Sequence, residues 1–283
     1  MTIFYTLSFS YPDRAGIIAE FSGAILEHRG NIQVLNQFID PDTGLFFMRM
    51  VFVTDWPRTE LERTLTALAE RFQMRWELST NNERQRVQLL VSKFDHCLAD
   101  LLYRTYIGEL GMEIGGIVSN HPKTALKVTD LGSIPFYFLP MTADSRAAQE
   151  AEILALVKGL NIDLVILARY MQIPTDDFVA ALSGRCINIH HSFLPSFKGA
   201  KPNRQAYANG VKMMGATAHY VTAALDEGPI IYQDVETVSH ADMPEDLVRN
   251  GRNIEQRVLS RADFWHFAQR VLMNGNKTVV FRN

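Results

Sequence analysis

Asn188-Ile189-His190-His191-Ser192-Phe193-Leu194-Pro195 places an amide and an imidazole two residues apart, straight after the apolar run Arg185-Cys186-Ile187. Farther along, Leu225-Asp226-Glu227-Gly228-Pro229 supplies a carboxylate in a loop between two strand-like runs. An amide donor, a ring that titrates near neutrality and an acid are enough to hydrolyse or transfer an acyl group without a metal or a covalent nucleophile. Asn188 is the candidate oxyanion donor and His190 the candidate general acid/base. Asp226 would orient water or hold His190 in its useful protonation state, with Gly228 and Pro229 making the sharp turn that aims it inward. His190, His191 and His219 also raise a metal site. Successive strand residues point to opposite faces, however, and no second cysteine or carboxylate lies at ligand spacing, so neither metal nor cofactor is expected.

These residues need a scaffold that brings two distant segments together. From Val87 onward, short apolar runs alternate with amphipathic stretches: strands at 87–92, 114–119, 135–139, 163–168 and 186–189, with helices at 95–106 and 143–159 and a helix-compatible stretch at 122–130. Thr175-Asp176-Asp177 caps another helix. That alternation predicts an α/β domain with a largely parallel, doubly wound, Rossmann-like sheet. Ligands of such sheets sit beyond the C-terminal strand ends, where Asn188 to His191 falls. Strands at 216–221 and 229–235 flank the acidic loop, a helix spans 245–271, and 277–281 reads as a last strand.

Upstream, residues 4–10, 32–40 and 45–54 alternate like strands, 17–28 and 58–73 carry helical apolar faces, and 74–78 closes a sheet. Pro41-Asp42-Thr43-Gly44 signals a hairpin. The order βαββαβ predicts a ferredoxin-like module over 1–80, followed by a polar linker at 81–86 and a second domain over 87–283. At 283 residues the chain is long enough for both. Its 28 basic and 31 acidic residues leave a net charge of -3, which argues against a nucleic-acid partner. No apolar stretch is long enough to span a bilayer and no secretory leader precedes the first strand, so no membrane partner and a cytoplasmic location are expected. Cys97 and Cys186 are expected to be buried free thiols.

The first module, with Pro12-Asp13-Arg14-Ala15-Gly16-Ile17 and Gly30-Asn31-Ile32, resembles the ACT family of regulatory domains. That resemblance implies self-association and a small amino-acid effector, for which Asp13, Gly16 and Asn31 are the candidates. Asn188-x-His190, Ser192-x-Leu194-Pro195, Gly215-x-Thr217-x-His219-x-Val221 and Asp226 before Gly228-Pro229 resemble the folate-dependent formyltransferase fold. With an ACT module in front, and with Lys93-Phe94-Asp95-His96-Cys97-Leu98 and Leu167-Ala168-Arg169-Tyr170-Met171-Gln172, nearly the whole chain is similar to the formyltetrahydrofolate deformylase family.

The family implies hydrolysis of 10-formyltetrahydrofolate to formate and tetrahydrofolate by Asn188, His190 and Asp226, serving one-carbon metabolism and formate supply for purine synthesis. It further implies folate contacts from Arg169, Met171, Gln172, Ile173, Gly199, Lys201, His219 and Val221. Two departures stand out: Tyr137-Phe138 replaces a usual histidine pair, and Asn203-Arg204 a usual Tyr-His pair.

Two other readings stay open. One is formyl transfer to an amine such as glycinamide ribonucleotide; the other is a non-catalytic amino-acid sensor. Against the first, the stretch from Lys93 to Leu98 has no glycine to admit a phosphate, and Asp95 would repel one. Lys93 and His96 remain candidates for another anion, such as the tail of the substrate.

Overall fold

The computed structural model describes residues 3–72, 74–127, 130–142, 145–195, 207 and 209–282. The chain forms two compact units, Met1–Glu83 with Ala268–Asn274 and Thr278–Asn283, and Arg84–Phe267 with Gly275–Lys277.

The first unit runs β1 (Phe4–Pro12), α1 (Ile17–Glu27), β2 (Asn31–Asp40), β3 (Leu45–Val53), α2 (Arg58–Phe72) and β4 (Arg75–Thr80). The sheet order is β2-β3-β1-β4 with every pairing antiparallel, the expected ferredoxin-like arrangement. One face of the sheet buries Leu7, Phe9, Met48 and Met50 against Phe21 and Ile25 of α1 and Leu61 and Leu65 of α2. These helical residues recur at spacings of four, which keeps them on the stripe that faces the sheet.

The second unit runs β5 (Gln85–Val91), α3 (His96–Tyr106), β6 (Met112–Ser119), β7 (Phe136–Phe138), α4 (Arg146–Gly159), β8 (Leu164–Leu167), α5 (Asp176–Ala181), β9 (Cys186–His190), β10 (Met213–Tyr220), β11 (Ile230–Thr237) and α6 (Pro244–Phe267). Its sheet has the order β11-β10-β9-β8-β5-β6-β7. The strands from β9 to β7 are parallel, and β10 and β11 are antiparallel additions. Strand β5 has β6 on one side and β8 on the other, so the order reverses there. The crevice past the C-terminal ends of β5, β8 and β9 is therefore the place for a ligand.

Several elements depart from expectation. Among the described residues of 122–130 there is no α-helix. Only Lys123–Ala125 makes a single 3₁₀ turn, because Pro122 and Leu126 on either side are extended and the Lys127 amide is held by the Asp95 carboxylate. The polar linker starts after Thr80 as expected but ends before 86, since Gln85 already pairs with Met112 in β5. The last helix stops at Phe267 rather than 271, as Gln269 adopts φ 49. An unexpected strand β12 (Val271–Asn274) then pairs with β13 (Lys277–Val280) around Gly275.

Residues 268–274 group with the first unit, whereas the sequence reading put everything after residue 87 in the second. The physical reason is Arg49 on β3, a buried guanidinium that donates to the Ala268 carbonyl at 3.0 Å and the Gln269 carbonyl at 3.1 Å. Burial lowers its pKa to about 10, and those two carbonyls supply acceptors it would otherwise lack. Asn274 adds a bond to Asp40 at 2.6 Å.

The turn between β10 and β11 decides where Asp226 lies. Its Tyr220 amide donates to the Pro229 carbonyl at 3.0 Å, so the two limbs pass in contact. A Cβ on Gly228 would collide with the Tyr220 carbonyl oxygen and stand 3.1 Å from His219 Nδ1. Glycine is required by close approach here, as no side chain fits between the limbs. Gly228→Ala is therefore expected to destabilise the protein by about 3 kcal/mol, as overpacking does. Urea denaturation measures this, and an unchanged midpoint would show that the limbs can part freely.

Candidate active site

Asn188 and His190 lie on one face of β9 because they are two residues apart. Strand β10 sets His219 directly opposite Asn188 and Thr217 opposite His190. The register thus brings four polar residues, Asn188, His190, Thr217 and His219, onto adjacent positions at the sheet end.

Hydrogen bonds fix the state of each ring. His219 Nδ1 lies 2.9 Å from the Tyr220 carbonyl oxygen, which can only accept, so Nδ1 carries the proton. Nε2 of the neutral ring then accepts from Asn188 Nδ2 at 3.3 Å. Burial holds the His219 pKa below its usual value and so keeps this tautomer at neutral pH. The result is that one amide hydrogen of Asn188 is anchored and the other is left for the cavity.

His190 Nδ1 lies 3.0 Å from Asp226 Oδ1. The carboxylate again accepts, which leaves the His190 Nε2 lone pair facing away from Asp226. That atom is buried and has no partner among the described residues. Burial by itself would raise the Asp226 pKa, but the hydrogen bond from His190 and the nearby imidazoles outweigh it and hold the carboxyl below its usual value. The positive φ of 57° at Asp226, within a turn closed by Glu227 N–H on the Ala224 carbonyl at 3.2 Å, points the side chain back at the strand end.

The strand end opens into a cavity of about 330 Å³. Asn188, His190, His219 and Asp226 line its polar end. Met171, Gln172, Ile173, Val179, Val221 and Leu225 line the rest, a mostly apolar slot suited to a flat ring. Gly199, Lys201 and the Asn203-Arg204 departure lie outside the described residues.

Arg169 is not among the residues that line the cavity. Its φ is 66° and its guanidinium lies 3.1 Å from Glu255 Oε2, which also receives His96 Nε2 at 2.7 Å. Burial would raise the Glu255 pKa, but the His96 bond and the Arg169 charge reverse this and keep it ionised. Tyr137 packs against Gly116 in the core and does not line the cavity.

Two groups escaped the sequence reading. His191 was expected to point away from His190, but β9 ends at His190 and the chain turns there. The two rings stack with centroids 4.9 Å apart, and His191 lines the same cavity. Glu255 was readable only as a carboxylate on the buried face of α6, between Ile254 and Val258. Among the described residues, His96, Cys97 and Glu255 bring metal-ligating atoms within 4.8 Å of one another. The Arg169 cation on the same carboxylate disfavours a second cation there, so we read the group as an ion-pair cluster. Both cysteines are buried and free.

In the first unit, the Asp13 amide bonds the Gly44 carbonyl at 2.8 Å and Gly16 takes φ 91° before α1. Asn31 pairs with Val53, whereas Pro12 pairs with Leu45. Asp13 and Gly16 therefore lie at one end of the sheet and Asn31 at the other.

The Ser192 to Pro195 loop is fastened by Thr217. Its hydroxyl donates to the Ser192 carbonyl at 2.9 Å and accepts from the Leu194 amide at 3.1 Å and from Gln233 at 2.9 Å. Gly215, two residues earlier, is needed because a Cβ would meet the Asp234 carbonyl at 2.5 Å and Phe193 Cβ at 3.2 Å. Thr217→Val keeps the shape but removes the acceptor of the buried Leu194 amide, and should cost about 1–3 kcal/mol together with part of the turnover. A thermal melt and a rate assay check both, and an unaltered melt would show that the loop is held elsewhere.

The chain matches the formyl transferase family over residues 85–262 and the ACT domain family over residues 5–71. It is 47% identical over 279 residues to a formyltetrahydrofolate deformylase of Synechocystis sp., covering 98% of each chain. A crystal structure of formyltetrahydrofolate deformylase from Burkholderia mallei superposes with TM-score 0.93 at 48% identity, covering 98% of this chain and 99% of that one. Glycinamide ribonucleotide transformylase 1 from Symbiobacterium toebii gives TM-score 0.65 at 28% identity and covers 72% of this chain. Because the likeness to the deformylases extends through the ACT unit while that to the transformylase does not reach the full chain, the protein belongs to the formyltetrahydrofolate deformylase family.

Proposed function

We propose that this protein hydrolyses 10-formyltetrahydrofolate to formate and tetrahydrofolate, using His190 as general base and then general acid. The observation that carries the reading is the unpartnered, buried Nε2 of His190, backed on its other nitrogen by Asp226 and facing the cavity. In the first step Nε2 takes a proton from water as its oxygen attacks the formyl carbon. The free amide hydrogen of Asn188 donates to the oxyanion, a contribution typically worth about 3 kcal/mol. Asp226 stabilises the imidazolium that forms. That imidazolium then protonates N10 of the folate, the C–N bond breaks, and the acid leaves as formate.

Water is favoured over an amine acceptor by the chain's own Asp95. Its carboxylate is buried just before α3 and accepts from the Lys127 amide, so negative charge already sits where the phosphate of a second substrate would bind. An assembled His190–Asp226 pair also speaks against a sensor built on a dead enzyme.

Further roles belong to the same proposal. On this reading the enzyme acts in one-carbon metabolism, supplying formate for purine synthesis, in the cytoplasm. Among the described residues no helix is long and apolar enough to cross a membrane. Strand β2 is an edge strand whose Val34, Leu35, Phe38 and Ile39 are exposed, and this supports self-association of the ACT unit. Asp13 and Gly16 of one copy and Asn31 of another would then share a small amino-acid effector, because a single chain holds them apart.

Asp226→Asn should lower formate release about a hundredfold or more while leaving the melting temperature close to wild type. The assay is run with 10-formyltetrahydrofolate and no acceptor, and wild-type turnover by the variant would overturn the mechanism. Titrating the protein with small amino acids should shift its melt if the effector site exists, and Asn31→Ala should abolish that shift. A flat titration would remove the effector from the proposal.

A further inference from the structure

A hydrolase faces a difficulty that a transferase avoids. An amine acceptor is a body that the protein can grip at a distance from the reacting nitrogen. Water has no such handle, so its lone pair must be aimed by groups that touch it directly. His190 Nε2 touches it from one side. A single hydrogen bond does not fix the direction of attack.

We propose that His191 is the second group that holds the attacking water. The inference rests on the hydrolytic reading above. Its geometry is specific: the ring stacks on that of His190 with centroids 4.9 Å apart and an interplanar angle of 30°, and both rings line the same cavity. Among the described residues neither ring nitrogen of His191 has a hydrogen-bond partner, unlike those of His219, which are both engaged. Two stacked imidazoles that line one cavity would share a water held about 2.8 Å from a nitrogen of each ring.

The surroundings keep His191 an acceptor. Burial first, and then the Arg169 and His190 charges, push its pKa down to about 4, so the ring stays neutral through the working range. A ring with that pKa is too weak a base to compete with His190 for the proton. It aims the water; His190 deprotonates it. Glu255 balances Arg169 at 3.1 Å, so the cation beside His191 does not stand alone in a buried site.

The test is a partition experiment on the full-length protein. Wild type and variants receive 10-formyltetrahydrofolate with hydroxylamine, whose nitrogen attacks the formyl carbon to give formohydroxamate and tetrahydrofolate. Formate and hydroxamate are both measured, and the enzyme-free reaction is subtracted. His191→Phe keeps the stack on His190 and removes both nitrogens. It should lower formate release about tenfold or more while hydroxamate formation changes by less than about threefold, shifting the ratio toward hydroxamate. His191→Gln restores an acceptor and should recover part of the formate rate. That variant is read on its own if the Phe protein does not fold.

An unchanged formate-to-hydroxamate ratio, with both rates intact or both reduced alike, would overturn the assignment and leave His191 as a packing group. Failure of the wild type to release formate without hydroxylamine would instead sink the hydrolytic reading itself.

Discussion

Everything at the strand end is organised around a carboxylate that must reach a ring across two loops. Asp226 Oδ1 meets His190 Nδ1 at 3.0 Å, although the two residues belong to different segments of chain. For that contact to exist, β10 must lie antiparallel on β9, the turn after Tyr220 must fold back tightly, and Asp226 must adopt a left-handed backbone. Gly228 exists to allow the second condition, because the Tyr220 carbonyl occupies the space of any side chain. Thr217 and Gly215 meet a related demand on the other side, pinning the Ser192 to Pro195 loop against β10. The spaced motif is thus mostly packing that serves one hydrogen bond.

That bond also sets the electrostatics. With Asp226 ionised and accepting at Nδ1, the basic lone pair of His190 has one direction left, into the cavity. His219 and His191 would oppose this if charged, since two extra imidazolium ions beside His190 would make its protonated intermediate costly. Burial keeps both neutral. They take acceptor roles instead, one toward Asn188 and the other toward the cavity. Three histidines within one small region therefore divide the work by environment alone, as differently placed titratable groups do in other sites.

How far the sequence could go follows from which constraints are local. The βαββαβ order was legible because apolar period and turn residues agree over each segment, as in β2 and β3 around Pro41 to Gly44. The stretch from Pro122 to Lys127 lacks the α-helix that its composition allows because Pro122 and Leu126 are extended and the distant Asp95 carboxylate holds the Lys127 amide. The last helix was drawn too long because Val271 and Leu272 continue an apolar pattern that the Gln269 backbone interrupts. Asn188, His190 and Asp226 were legible because their types at that spacing suffice for acyl chemistry. His191 was not, because strict alternation was carried one residue past the end of β9. The pairing of Arg169 with Glu255 was not either, since it joins residues 86 positions apart in a contact that no local pattern announces.

The choice of acceptor is where local and distant constraints meet. Nothing in the chemistry of Asn188, His190 and Asp226 distinguishes water from an amine, because either nucleophile gives up a proton to the same lone pair. Selectivity has to come from what surrounds them. Asp95 places negative charge before α3, which repels a phosphate-bearing partner. The His96–Glu255–Arg169 cluster fills neighbouring space with groups of opposite charge that neutralise one another. What remains beside His190 is the polar end of the cavity, which His191 also lines. On the proposed mechanism, such a site would reject the larger nucleophile by charge and occupancy and hold the smaller one by hydrogen bonding.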